Sequence, residues 1–174
     1  FFICFQASAQ IIRTQLPDST SNWSKENVVG LDISQITFVN WNAGGNNSVS
    51  GLLKGQFVRT YTNKNLVWKN ELIARYGINK QEKQDVRKTD DQFQLNSTFG
   101  YRTDTISNWY YAGKFNFNTQ FANGYAYPNT DLAISKSFAP AYTFLGVGSE
   151  YSRKDLNLTL YLSPLTQKTT LVFD

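Results

Sequence analysis

Apolar and polar residues alternate along most of this chain, the pattern of a β-strand whose two faces meet different surroundings. The alternation is strongest over residues 92–102. Phe93, Leu95, Ser97, Phe99 and Tyr101 fall on one face there, and Gln92, Gln94, Asn96, Thr98, Gly100 and Arg102 on the other. Over residues 108–121 one face holds Trp109, Tyr111, Gly113, Phe115, Phe117, Thr119 and Phe121. The other holds Asn108, Tyr110, Ala112, Lys114, Asn116, Asn118 and Gln120. Over residues 155–163, Leu156, Leu158, Leu160 and Leu162 alternate with Asn157, Thr159, Tyr161 and Ser163. Weaker alternation predicts strands over 28–39 and 49–61 on either side of a Gly44-Gly45 turn, and over 66–76. A further strand is expected over 135–151, bent or unpaired at its start by Pro140, and a short one over 169–173. That makes about eight strands, several longer than the roughly 5–6 residues usual in a soluble sheet.

The expected connections are 40–48, 62–65, 77–91, 103–107, 122–134 and 152–154, longer and shorter by turns. Short turns at one end and longer loops at the other are the plan of an up-and-down barrel in an outer membrane. Aromatic residues fit two membrane–water interfaces. Tyr61, Trp68, Tyr101, Trp109 and Tyr151 sit near the short-turn ends; Trp41, Tyr76, Phe93 and Phe121 sit towards the long loops. From Trp109 to Phe121 the chain covers about 40 Å at roughly 3.3 Å per residue. Tilted by about 40°, that projects to roughly 30 Å, enough to cross the apolar band. The expected fold class is therefore all-β: an antiparallel up-and-down transmembrane β-barrel of about eight strands, complete in itself or part of a larger one.

Alternation by itself leaves the faces open, because a soluble sandwich turns the same apolar residues towards a core. Loop rhythm, aromatic belts and strand length favour the barrel. Charge placement agrees with it, since a cation facing lipid at mid-depth costs about 2–4 kcal/mol. Lys54, Lys69, Glu71, Arg75, Gln94, Asn96, Lys114, Asn116, Asn118 and Gln120 fall on polar faces and are expected to face the lumen. Arg59 and Asn70 fall on apolar faces. Arg59 is near a strand end, whereas Asn70 has no explanation in the sequence.

Composition narrows the function classes. The 174 residues suffice for one domain. No stretch reaches the 18 or so apolar residues of a spanning helix, which excludes a helical membrane protein and leaves a barrel open. The chain has no histidine, so the commonest general base and metal ligand and every Ser-His or Cys-His arrangement are missing. Basic residues are scattered and the net charge is a mild +4, so no nucleic acid is expected as a partner.

Phe1-Phe2-Ile3-Cys4-Phe5 reads as the tail of a signal-peptide apolar region, and Ala7-Ser8-Ala9 as its cleavage pattern, leaving Gln10 as the mature start. An ordinary first strand is the alternative reading. The domain plan is a signal remnant over 1–9, a periplasmic segment over 10–26 and the barrel over 27–174. Cys4, the sole cysteine, would leave with the signal.

Four motifs stand out. They are Asn40-Trp41-Asn42-Ala43-Gly44-Gly45-Asn46-Asn47-Ser48; Arg87-Lys88-Thr89-Asp90-Asp91; Trp109-Tyr110-Tyr111 followed by Asn118-Thr119-Gln120-Phe121; and Phe138-Ala139-Pro140-Ala141-Tyr142 leading to Leu145-Gly146. Gly44 and Gly45 supply positive-φ residues for a turn. Asp90 and Asp91, beside Arg87 and Lys88, suit a solvated ion-pair loop better than a cation site. As neighbours on a strand they point to opposite faces, which argues against paired acid–base chemistry.

The first two motifs, Thr119-Gln120-Phe121 with Gly124-Tyr125, and Leu162-Ser163-Pro164-Leu165-Thr166 together resemble an uncharacterised Bacteroidota family, a domain of unknown function. The likeness runs from about Trp23 to Thr170. It implies β architecture and an outer-membrane location, with no activity and no catalytic residues to carry over.

The expectation is a non-enzymatic integral outer-membrane protein with no cofactor and no metal, exported through a cleaved signal. Its partners are outer-membrane lipid and, as candidates, other envelope proteins. It serves as a structural or partner-binding component, with a passive porin-like channel as the alternative. A secreted β-sandwich reading glycans with exposed Trp and Tyr is the rival binding module. A membrane hydrolase is the rival enzyme, and it lacks histidine and a nucleophile setting.

Overall fold

A computed structural model describes residues 3–8, 12–13, 22–38, 45–104 and 106–172, and among these every regular element is a β-strand. In chain order they are β1 (Ile3–Ser8), β2 (Ile12–Arg13), β3 (Trp23–Thr37), β4 (Ser48–Asn63), β5 (Leu66–Gln81) and β6 (Arg87–Tyr101), then β7 (Trp109–Thr119), β8 (Gly124–Tyr125), β9 (Ala133–Ser135), β10 (Ala141–Arg153) and β11 (Leu158–Leu171). Seven long strands form one sheet in the order β3-β4-β5-β6-β7-β10-β11, each antiparallel to the next. β1 and β2 both lie along the outer edge of β3, and β8 pairs with β9 in a small hairpin inside the 120–140 connection. Neighbours in sequence are neighbours in the sheet, as short connections favour.

Seven alternating strands leave β3 and β11 running in the same direction. No pairing joins β11 to the opposite edge among the described residues, so the sheet is open and no barrel closes there. β1 runs antiparallel to β3, the direction an antiparallel closure onto β11 requires.

Boundaries differ from the sequence reading in several places, each for a backbone reason. β3 begins at Trp23 and β1 already pairs with it, so the sheet takes in residues assigned to the signal and periplasmic segments. The loop expected over 77–91 shrinks to 82–86, because Ile78 and Asn79 pair with Lys88 and Arg87 beyond a bulge after Gly77. It is thus no longer than the 102–108 turn at the other end, and the loop rhythm fails at that step. The strand expected over 135–151 divides into β9 and β10, with β10 starting just after Pro140.

The strands expected over 155–163 and 169–173 are one strand, β11. Ser163-Pro164 makes a bulge in it, with Val147 opposite Leu165 and Ser149 opposite Leu162. Proline cannot donate to the ladder, and a bulge is where a strand tolerates it. The partner position needs a glycine: a Cβ on Gly148 would stand 1.9 Å from the Leu162 carbonyl oxygen.

Strand pairing sorts the side chains into two faces. One row across the sheet reads Val58–Glu71–Asn96–Asn116–Phe144, and the next row, pointing the other way, reads Phe57–Leu72–Leu95–Phe117–Thr143. No second layer covers either face. Among the described residues the buried hydrophobics are three alanines, Ala112, Ala139 and Ala141, and no large side chain is fully buried.

Candidate functional site

The polar face is one connected surface. Lys54, Arg75 and Gln92 share a row, as do Gln56, Ile73, Gln94, Asn118 and Tyr142. Lys69 and Lys114 flank Thr98 in the row beyond Glu71. All the residues expected to face a lumen share this face except Gln120. That residue lies past the end of β7, and its amide donates to the carbonyls of Lys136 and Ala139, both at 3.0 Å.

Glu71 is the hub of the network. Its two carboxylate oxygens accept from Gln56 Nε2 (2.5 Å) and Asn96 Nδ2 (3.1 Å). Asn96 Oδ1 in turn accepts from Gln94 (3.0 Å) and Asn116 (2.6 Å), and Gln94 accepts from Gln92 (2.8 Å). Cations on this face are matched: Lys54 with Asp32 at 2.7 Å, Arg75 with Asp90 at 2.5 Å and Lys114 with Glu150 at 2.6 Å. Lys114 also stands 4.2 Å from the Tyr161 ring centre. Asp32, Gln56, Glu150 and Tyr161 were absent from the sequence reading. Their part depends on register between strands, which alternation does not encode. This face is sheltered: Lys114 and Glu150 are 28% and 21% exposed, while Tyr111 on the opposite face is 64% exposed.

The apolar face carries a long open surface of Val29, Leu31, Leu53, Leu145, Val147, Leu160 and Leu162. Tyr61, Trp68, Tyr101, Trp109 and Tyr151 all fall on it near the short turns. Trp23, missed in the sequence, joins Tyr61 at 5.2 Å and Trp68 at 5.8 Å between ring centres, and Trp109 meets Tyr151 at 5.2 Å. At the loop end Phe121 meets Tyr76 and Phe93, and Phe138 meets Phe93.

Asn70 now has its explanation. It accepts from Ser97 Oγ (2.8 Å), which itself accepts from the Trp68 indole (3.0 Å), so no polar atom of that chain is stranded. Arg59 donates to Asn27 Oδ1 and to the Val58 carbonyl, each at 2.8 Å.

The 120–140 connection is clasped to the sheet by Asp91. Its oxygens accept from Phe121 N–H and Ala122 N–H, both at 2.9 Å, and from Lys88 Nζ at 2.6 Å. Lys88 also donates to the Ala122 carbonyl at 2.8 Å, and both partners are buried. The Asp90/Asp91 pair thus divides by face, Asp90 to Arg75 and Asp91 to the loop. A cavity of about 350 Å³ opens between Asp90, Gln92, Asn118, Pro140 and Tyr142. Of the expected Gly44-Gly45 turn, Gly44 lies outside the described residues. Asn47 bridges that connection by accepting from Phe38 N–H (2.8 Å) and donating to Glu82 (3.0 Å). In the 154–157 turn, a hydrogen bond from Arg153 holds the Asp155 carboxyl below its ordinary value. Among the described residues no three Asp, Glu or Cys side chains gather at one point.

Residues 33–125 match the model of a family described as "Protein of unknown function (DUF3078)". The chain belongs to this family. No curated protein and no solved structure matches it. The DUF3078 match runs from within β3 to the end of β8. It takes in the glycine motif from Asn40, the Arg87–Asp91 stretch and Gly124-Tyr125, while Leu162-Ser163-Pro164 lies beyond it. Two of the included motifs meet in space through the Asp91 clasp.

Proposed function

We propose that this DUF3078 chain is the β-barrel part of an integral outer-membrane protein of a Bacteroidota cell. It is non-enzymatic and acts as a structural or partner-binding component of the envelope. The observation that carries the reading is the absence of a core beside two chemically opposite faces. A soluble sandwich buries its apolar face against a second sheet. Here that face carries large exposed side chains, bounded by aromatics at both ends, as a lipid-facing surface requires. The opposite face is hydrogen-bonded and charge-matched, as the filled interior of a small barrel requires. That matching favours a filled scaffold over a passive channel.

In this reading the short turns face the periplasm and the 120–140 connection lies outside the cell. Phe1 to Ala9 is the tail of the export signal. An eighth strand in the place and direction of β1 completes the even number that bacterial barrels use. Cell fractionation followed by carbonate extraction and a heat-modifiability gel tests the proposal. The protein should stay in the outer-membrane pellet and migrate differently when unboiled. Release into the soluble fraction would defeat the reading.

A further inference from the structure

The apolar face changes chemistry along a single row near the short turns. Lys25, Arg59, Asn70 and Ser97 stand side by side there across β3, β4, β5 and β6. Asn70 and Ser97 satisfy each other. Lys25 and Arg59 do not: they are directly opposite one another, and like charges in that position destabilise a sheet pair. Neither forms an ion pair among the described residues. The neighbouring rows on the same face hold Trp23, Tyr61 and Trp68 on one side and Asn27, Phe57 and Leu72 on the other, with no carboxylate. Glu26 points to the opposite face, so the Arg59 guanidinium reaches only its backbone carbonyl, besides Asn27 and Val58.

Depth explains the placement. Trp68 lies opposite Phe99 and Phe99 opposite Gly113, yet the tryptophan of β7 is Trp109, four residues nearer the turn end. The belt therefore slants across the strands, as tilted strands in a bilayer demand. The same slant carried from β5 back to β3 brings Arg59 and Lys25 level with the aromatic belt. At that level a cation costs about 0–1 kcal/mol, and lipid phosphates are within reach of a long side chain.

We infer that Lys25 and Arg59 bind the phosphate of a glycerophospholipid headgroup in the periplasmic leaflet, its acyl chains lying along the Trp23–Tyr61–Trp68 cluster. An anion between the two cations turns a repulsive pair into two charge-assisted hydrogen bonds. This inference rests on the membrane reading above.

The test uses the full chain, expressed with its own leader and extracted in mild detergent. Binding of phosphatidylglycerol is followed by native mass spectrometry. K25Q/R59Q should weaken it about tenfold, the loss of a charge-assisted contact. K64Q/K154Q, which removes as much charge from the turns, should leave it unchanged. Diacylglycerol, which lacks the phosphate, should not be retained, and millimolar inorganic phosphate should compete poorly.

Unchanged lipid binding by K25Q/R59Q in a protein that still resists carbonate overturns the headgroup site and leaves the membrane reading standing. Carbonate release of the unaltered protein overturns the membrane reading itself. Equal competition by inorganic phosphate overturns the lipid assignment in favour of a simple anion site. Should the double variant fail to assemble, K25Q alone removes an exposed side chain and must still weaken binding.

Discussion

Leu72 and Ile73 are adjacent on β5, similar in size, and on opposite faces. Leu72 lies on the apolar face between Phe57 and Leu95. It is midway between Trp68 and Tyr76, so each belt is about 13 Å away along the strand, or roughly 10 Å in depth at a tilt of about 40°. That is the middle of an apolar band about 25 Å tall, where an arginine costs about 2–4 kcal/mol. Ile73 faces the other way, between Gln56 and Gln94, and borders a cavity of about 420 Å³. Its nearest cations, Lys54 and Arg75, are each paired with a carboxylate, which limits repulsion of an incoming guanidinium. Ile73→Arg should therefore cost about 1 kcal/mol or less, as a substitution free of core or lipid penalties does. Leu72→Arg should lower the folding equilibrium about 30- to 700-fold. Denaturant unfolding in phospholipid vesicles, read through the belt tryptophans, measures both. Equal losses, or a larger loss at Ile73, would refute the assignment of faces.

Other consequences can be checked independently. Gly148→Ala forces a Cβ against the Leu162 carbonyl and should cost at least the upper end of the about 1–3 kcal/mol of overpacking. Gly113→Ala, with open space around its Cβ, should cost little in the same assay. Asp91→Asn breaks a buried pair and leaves Lys88 uncompensated, an expected loss of about 3–5 kcal/mol. Its signature should be rapid protease cleavage within 120–140 while the strands stay protected. Intact mass of the protein from outer membranes should place the mature start at Gln10, and retention of residues 3–8 would refute processing there.

What could be read in the sequence depended on where the two faces meet different media. In β6 and β7 the apolar and polar sets alternate cleanly, so parity assigns Phe93, Leu95 and Lys114 to faces without knowledge of the partners. Beyond the belts both faces are polar and the signal vanishes. Asn79, Lys80 and Arg87 therefore read as loop, although backbone pairing continues through Asn79 and Arg87. Ser163-Pro164 read as a break because a bulge and a strand end have the same local residues, and only the partner strand distinguishes them. The ion pairs of Lys54 with Asp32 and Lys114 with Glu150 needed register. The Asp91 clasp needed the path of a long connection, which carries no periodicity.

Spin labels on single cysteines placed one at a time through β5 and β10, with Cys4 replaced, test the central claim most directly. Labels are compared for collision with a lipid-soluble relaxant and a water-soluble one in vesicles. Leu72, Leu145 and Val147 should favour the lipid-soluble relaxant, and the intervening residues should not, giving a strict period of two. If labels at Leu72, Leu145 and Val147 were shielded from both relaxants, that face would be packed against protein and the barrel account would be wrong.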